Sequence, residues 1–127
     1  MEANKKKILL VEDDVFVQDI YNLKLKQEGF DVTCATNGVE AIKYLEEDLP
    51  DLVLLDMVMP YMDGIEVLEK IQKKEEWKNL KIIMLTNLSE KDRVNEILER
   101  GVNDYIIKSH FTPSEVVEKI KVAIGSE

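Results

Sequence analysis

The chain has 127 residues, 45% hydrophobic and 34% charged, which fits a single globular domain over 1–127 with its core over about 6–124 and argues against a disordered chain, only the ends looking loose. Lys and Arg number 17 against 26 Asp and Glu, and the formal charge of −9 excludes non-specific binding to nucleic acid or to an anionic membrane. One cysteine, Cys34, and one histidine, His110, exclude an internal disulfide, a cysteine-based zinc cluster and a histidine-pair metal site.

The polar start, Met1 to Lys7, leads into the apolar run Ile8-Leu9-Leu10-Val11, which Glu12-Asp13-Asp14 cut short. That run is too short for a signal peptide core of about 7–15 residues or for a span of roughly 20. The expected compartment is the cytoplasm, with the thiol reduced.

Strand and helix patterns then alternate. A strand over Lys7–Val11 precedes a helix over Phe16–Glu28, which Gly29 ends. Asp31–Ala35 is a more mixed, outer strand, with Cys34 packing as a small hydrophobe; a helix over Val39–Glu47 ends before Pro50. Leu52–Leu55 is continuously apolar, as a strand buried on both faces must be, and a helix follows over Ile65–Lys74, with Asp63-Gly64 shaping the turn before it. Trp77 lies in a Lys- and Glu-rich stretch and is expected to be half exposed. Lys81–Leu85 is the fourth strand, and Ser89–Arg100 the fourth helix, capped by Ser89 with Asp92 reaching back and stopped by Gly101. The fifth strand is Asp104–Ile107, and Thr112-Pro113-Ser114-Glu115 opens a helix that runs to about Ile124. Five β-α units in succession imply an α/β fold, a doubly wound parallel sheet with helices on both faces.

In such sheets ligands bind beyond the carboxyl ends of the strands. There stand Glu12, Asp13 and Asp14 after the first strand, Asp56 after the third, Thr86 and Asn87 after the fourth and Lys108 after the fifth. Carboxylates crowded together repel one another, and a hard divalent cation relieves them; oxygen-only ligands suit Mg2+ or Mn2+ rather than zinc. A metal, an ammonium and a hydroxyl can stabilise a transferring phosphoryl group, and a carboxylate such as Asp56 can accept it.

The strings Leu9-Leu10-Val11-Glu12-Asp13-Asp14, Leu54-Leu55-Asp56-Met57-Val58-Met59-Pro60-Tyr61-Met62-Asp63-Gly64, Leu85-Thr86 and Tyr105-Ile106-Ile107-Lys108 carry a resemblance to the receiver domains of two-component response regulators, the CheY-like family. The likeness extends from about Lys6 to Ile124. It implies a flavodoxin-like (βα)5 sandwich with strand order 2-1-3-4-5, an order that CheY itself exemplifies. It implies that Asp56 is the phosphoacceptor. Glu12, Asp13, Asp56 and the backbone carbonyl of Val58 would be the metal ligands, Asp13 directly and Glu12 through water. Lys108 would pair with phosphoryl oxygens, and Thr86 and Tyr105 would be switch residues acting on the surface of the fourth helix, fifth strand and fifth helix. Asp14 is then a surface acid following the pair.

The implied partners are a sensor histidine kinase or phosphotransfer protein as donor and a downstream protein target, with no direct nucleic acid and no membrane. The chain is expected to be a monomer, with dimerisation on phosphorylation left open. It catalyses only its own phosphorylation and dephosphorylation and is not a turnover enzyme. Met1 favours a stand-alone relay over a domain of a longer regulator. Ser109 replaces the usual proline after the lysine, and a cis bond there would cost about 2.5–4 kcal/mol. Asn87 is larger than the usual residue after Thr86. Val58 and Leu88 occupy the two positions that tune phosphoryl lifetime; both are apolar, so a long-lived phosphoryl group is expected.

Other readings fare worse. A flavin carrier needs a phosphate-cradling first loop, which Glu12-Asp13-Asp14 would repel. A haloacid dehalogenase-type phosphatase needs an Asp where Val58 stands, and the glycine-rich loop of nucleotide binders is missing. A degenerate, non-phosphorylated receiver that acts as a protein-docking module is the alternative.

Overall fold

The computed structural model describes residues 5–87 and 92–125. Its elements are β1 (Lys7–Val11), α1 (Val15–Gln27), β2 (Asp31–Ala35), α2 (Gly38–Glu47), β3 (Leu52–Asp56), α3 (Gly64–Gln72), β4 (Lys81–Thr86), α4 (Val94–Glu99), β5 (Asp104–Ile107) and α5 (Pro113–Ile124). The strands form one parallel sheet of order β2-β1-β3-β4-β5, the doubly wound, flavodoxin-like arrangement expected. The apolar runs decide which strands are central. β3 is buried at every residue, β1 and β4 at all but the first, whereas β2 and β5 are mostly only partly buried or exposed and lie at the edges.

Alternation of side chains divides the core in two. On one face Ile8, Leu10, Leu52, Leu54, Ile83, Leu85 and Ile106 meet Tyr21 and Leu25 of α1 and Val116, Val117 and Ile120 of α5. On the other, Leu9, Val11, Val53, Leu55, Ile82 and Met84 meet α2, α3 and Ile97 of α4. Cys34 is partly buried against the first cluster, and burial pushes its thiol pKa up. No helix among the described residues is long and apolar enough to cross a membrane.

Side chains set most helix starts. Thr112 and Glu115 form a reciprocal capping box at α5, as do Asp63 and Glu66 at α3. Gly64 is required for a spatial reason: a Cβ there would sit 2.5 Å from the carbonyl oxygen of Asp56. Three expectations need correction. Trp77 is 5% exposed, not half exposed, because a single 3-10 turn over Glu75–Trp77 tucks its ring against the α2/α3 core while Lys74 Nζ covers it at 5.0 Å from the centroid. Helix α3 stops at Gln72 rather than Lys74. In the fourth helix, α-helical structure begins only at Val94, with Asp92 and Arg93 in a 3-10 turn; the expected cap Ser89 and the lifetime position Leu88 lie outside the described residues.

Candidate functional site

Glu12 follows the last residue of β1, and its N–H donates to the carbonyl of Ala35 at 3.0 Å, so the backbone still follows the sheet. Asp56 closes β3. Leu10 and Leu54, two residues earlier, face α1 and α5, and alternation turns Glu12 and Asp56 the same way. Both carboxylates are buried, with 1% and 3% exposure, a state a charge tolerates only with a partner. Lys108 supplies it. At the end of β5 it opens a 3-10 turn, and its ammonium lies 2.7 Å from Glu12 Oε1 and 3.2 Å from Asp56 Oδ2.

The loop between β1 and α1 is fixed from both sides. The N–H of Asp14 donates to Glu12 Oε2 at 3.1 Å, and Gln18 Nε2 donates to the carbonyls of Glu12 and Ala35, each at 3.1 Å. This leaves Asp13 exposed at the rim, where Glu12, Asp13 and Asp56 each offer one oxygen within 4.8 Å of the others.

Burial pushes the Asp56 carboxyl up from 3.8 to about 7, Lys108 opposes the shift and the Glu12 charge adds to it. Burial works to lower the Lys108 pKa, but its bond to Glu12 and the two carboxylate charges outweigh that and raise it. Glu12 and Asp56 share one ammonium, and Asp13 adds a third carboxylate at the rim. Three convergent carboxylate oxygens, one of them exposed, fit a hard divalent cation of the Mg2+ or Mn2+ kind.

Thr86 closes β4 on the opposite face and is fully buried, its hydroxyl donating to the carbonyl of Ile106 at 3.4 Å. Tyr105 pairs with Met84 in register and packs, half-buried, into the same α2/α3/α4 core, so it is a diagonal neighbour of Thr86 on that face. Val58 is 45% exposed, and its N–H points to Asp56 Oδ1 at 3.4 Å. Asn87 is exposed, and the Lys108–Ser109 bond is trans, as are all described peptide bonds.

Two local roles were not anticipated. Asp14 is the N-cap of α1, its Oδ1 accepting from Phe16 and Val17 N–H at 2.9 and 3.3 Å. An Asp immediately before the apolar Val15-Phe16-Val17 run is the pattern that signals such a cap. Gln18 carried no sequence signal, since its carbonyl partners become visible only once β1 and β2 are side by side.

The response regulator receiver domain model matches residues 8–121, and the chain belongs to that family. It is 38% identical over 122 residues to "Probable transcriptional regulator ycf27" of Cyanophora paradoxa, covering 95% of this chain and 49% of the relative, so the chain spans about half that relative's length. Among solved structures, a CheY-like response regulator receiver domain protein from Methanospirillum hungatei superposes with a TM-score of 0.87 at 32% identity, covering 96% of this chain and 95% of that one. The receiver domain of a sensor histidine kinase from Pseudomonas aeruginosa, with a magnesium ion coordinated in its active-site cleft, gives 0.86 at 30% identity, covering 97% and 100%.

Proposed function

We propose that this receiver is a phosphorylation-operated switch in which Asp56 takes a phosphoryl group from a phosphohistidine on a sensor kinase or phosphotransfer protein. The observation that carries the reading is the single ammonium, Lys108, shared between the buried carboxylates Glu12 and Asp56 with Asp13 at the rim. An Asp56 oxygen attacks phosphorus, the phosphorus–nitrogen bond breaks, and its electron pair leaves with the imidazole. Glu12, Asp13, Asp56 and the carbonyl of Val58 would hold Mg2+ (or Mn2+), which when bound offsets the charge of the carboxylates and phosphoryl oxygens. Lys108 turns its N–H groups to those oxygens. The Thr86 hydroxyl exchanges the Ile106 carbonyl for a phosphoryl oxygen, and its neighbour Tyr105 repacks, which alters the α4-β5-α5 surface read by a downstream protein.

An apolar stripe on α1 suits the donor. Phe16, Ile20 and Leu23 share one helical face beside the cleft and are 81%, 53% and 61% exposed. Val58 cannot orient an attacking water, so the phosphoryl group outlasts about a minute at neutral pH. The chain catalyses only its own modification and its reversal.

Intact-mass spectrometry after incubation with Mg2+ and acetyl phosphate tests this reading. One phosphoryl adduct, absent with EDTA and in Asp56→Asn, is expected. A folded wild type that stays unmodified would refute phosphoacceptance and leave the docking-module reading.

A further inference from the structure

The site has a floor as well as a rim. Tyr21, the seventh residue of α1, is 6% exposed and packs among Leu10, Leu54, Leu85 and Ile106. Leu10, Leu54 and Ile106 stand two residues before Glu12, Asp56 and Lys108, so Tyr21 occupies the layer directly beneath the charged cluster on the same face of the sheet. Long side chains of a helix lean toward its N-terminus, and the N-terminus of α1 adjoins the cleft, so the phenol end points up toward the charges. Lys108, Glu12 and Asp56 are the charged groups that act on its hydroxyl. Among the described residues that hydroxyl makes no hydrogen bond, which leaves its lone pairs open to a new donor.

The ammonium above it has three N–H groups, and two are engaged by Glu12 and Asp56. We propose that Tyr21 is a positioning residue for phosphoryl transfer, its hydroxyl receiving the third N–H of Lys108 as the ammonium turns to the phosphoryl oxygens. The inference rests on Asp56 being the phosphoacceptor. Tyr21 touches neither phosphorus nor the donor; it limits where Lys108 can go. A phenylalanine would fill the same space and leave the ammonium free to swing.

The test is the time course of adduct formation with acetyl phosphate, read by intact mass, on the wild type, Tyr21→Phe, Lys108→Ala and the double variant. Tyr21→Phe should slow phosphorylation roughly tenfold, the rate equivalent of one hydrogen bond to a charged group, with the half-saturating Mg2+ concentration and melting midpoint unchanged. In the Lys108→Ala background the same substitution should have no further effect, which a merely structural role would not produce. Tyr21→Leu, which loses the ring as well, should share the slow rate if it folds. A Tyr21→Phe rate within twofold of wild type, or an equal loss in the Lys108→Ala background, overturns the proposal while leaving Asp56 as acceptor. A wild type that takes no phosphoryl group refutes the acceptor reading itself and this inference with it.

Discussion

Asp56→Asn should stabilise the metal-free protein, and the gain should depend on pH in a defined sense. The folded-state pKa of Asp56 is raised from 3.8 to about 7, first by burial and then by the Glu12 charge against the opposition of Lys108. Between those values the folded chain holds a proton that the unfolded chain has released, so stability falls as pH rises through the window. Above about pH 7 both states are ionised and the folded state carries the full cost of a buried carboxylate. A shift from 3.8 to about 7 is about 3 units, which at 1.36 kcal/mol each is about 4 kcal/mol at most. Asparagine keeps an acceptor for Lys108, which retains its 2.7 Å bond to Glu12, and removes the charge. Urea unfolding in EDTA at pH 4, 6 and 8 should show Asp56→Asn gaining little at pH 4 and roughly 2–4 kcal/mol at pH 8. A variant less stable than wild type at pH 8, or a gain that shrinks as pH rises, would refute the electrostatic reasoning.

The same cluster predicts a metal response: millimolar Mg2+ should raise the melting midpoint of the wild type, and Asp13→Asn should abolish most of that rise while leaving the metal-free midpoint nearly unchanged, since Asp13 is exposed. Asp14→Ala should lose about 1 kcal/mol of stability by urea unfolding, the worth of an N-cap, yet phosphorylate within twofold of wild type, because its carboxylate serves Phe16 and Val17 rather than the metal. Trp77→Ala should cost roughly 3–5 kcal/mol in the same assay, as expected for a large aromatic residue lost from the α2/α3 core; an exposed tryptophan would lose far less.

Much of this was legible in the sequence because the informative residues obey short-range rules. Continuous apolar runs marked β1, β3 and β4, and the residues at and just past their ends converged because parallel strands all deliver their carboxyl ends to one edge. The strand order came with the family resemblance, since local periodicity does not fix which strands are neighbours. Trp77 was misjudged because its charged sequence neighbours say nothing about which core a 3-10 turn presses the ring against. The near-complete burial of Glu12 and its bond to Lys108 were also out of reach, because they depend on a contact between residues 96 apart, invisible to any local pattern. Asp14 shows the opposite failure, a local cap signal overlooked beside a conspicuous acidic pair.

The alternation of side chains along the strands also constrains how a signal could leave the site. Glu12, Asp56 and Lys108 meet on the α1/α5 side, whereas Thr86 and Tyr105 lie on the α2/α3/α4 side. A charge change confined to the first face would be insulated from α4 by the apolar sheet. Only the strand ends, where no further residues cover the edge, let a group bound to Asp56 meet a side chain from the opposite face. Thr86 is the last residue of β4, and Asp56, the last of β3, pairs with its predecessor Leu85. If phosphorylation is read at α4 and Tyr105, the message must therefore pass through the Thr86 hydroxyl. Thr86→Ala should still take the phosphoryl group by intact mass but lose the change in backbone amide exchange across β5 and α4 that phosphorylation produces in the wild type. An undiminished exchange change in that variant would mean the signal travels through α1 and α5 instead.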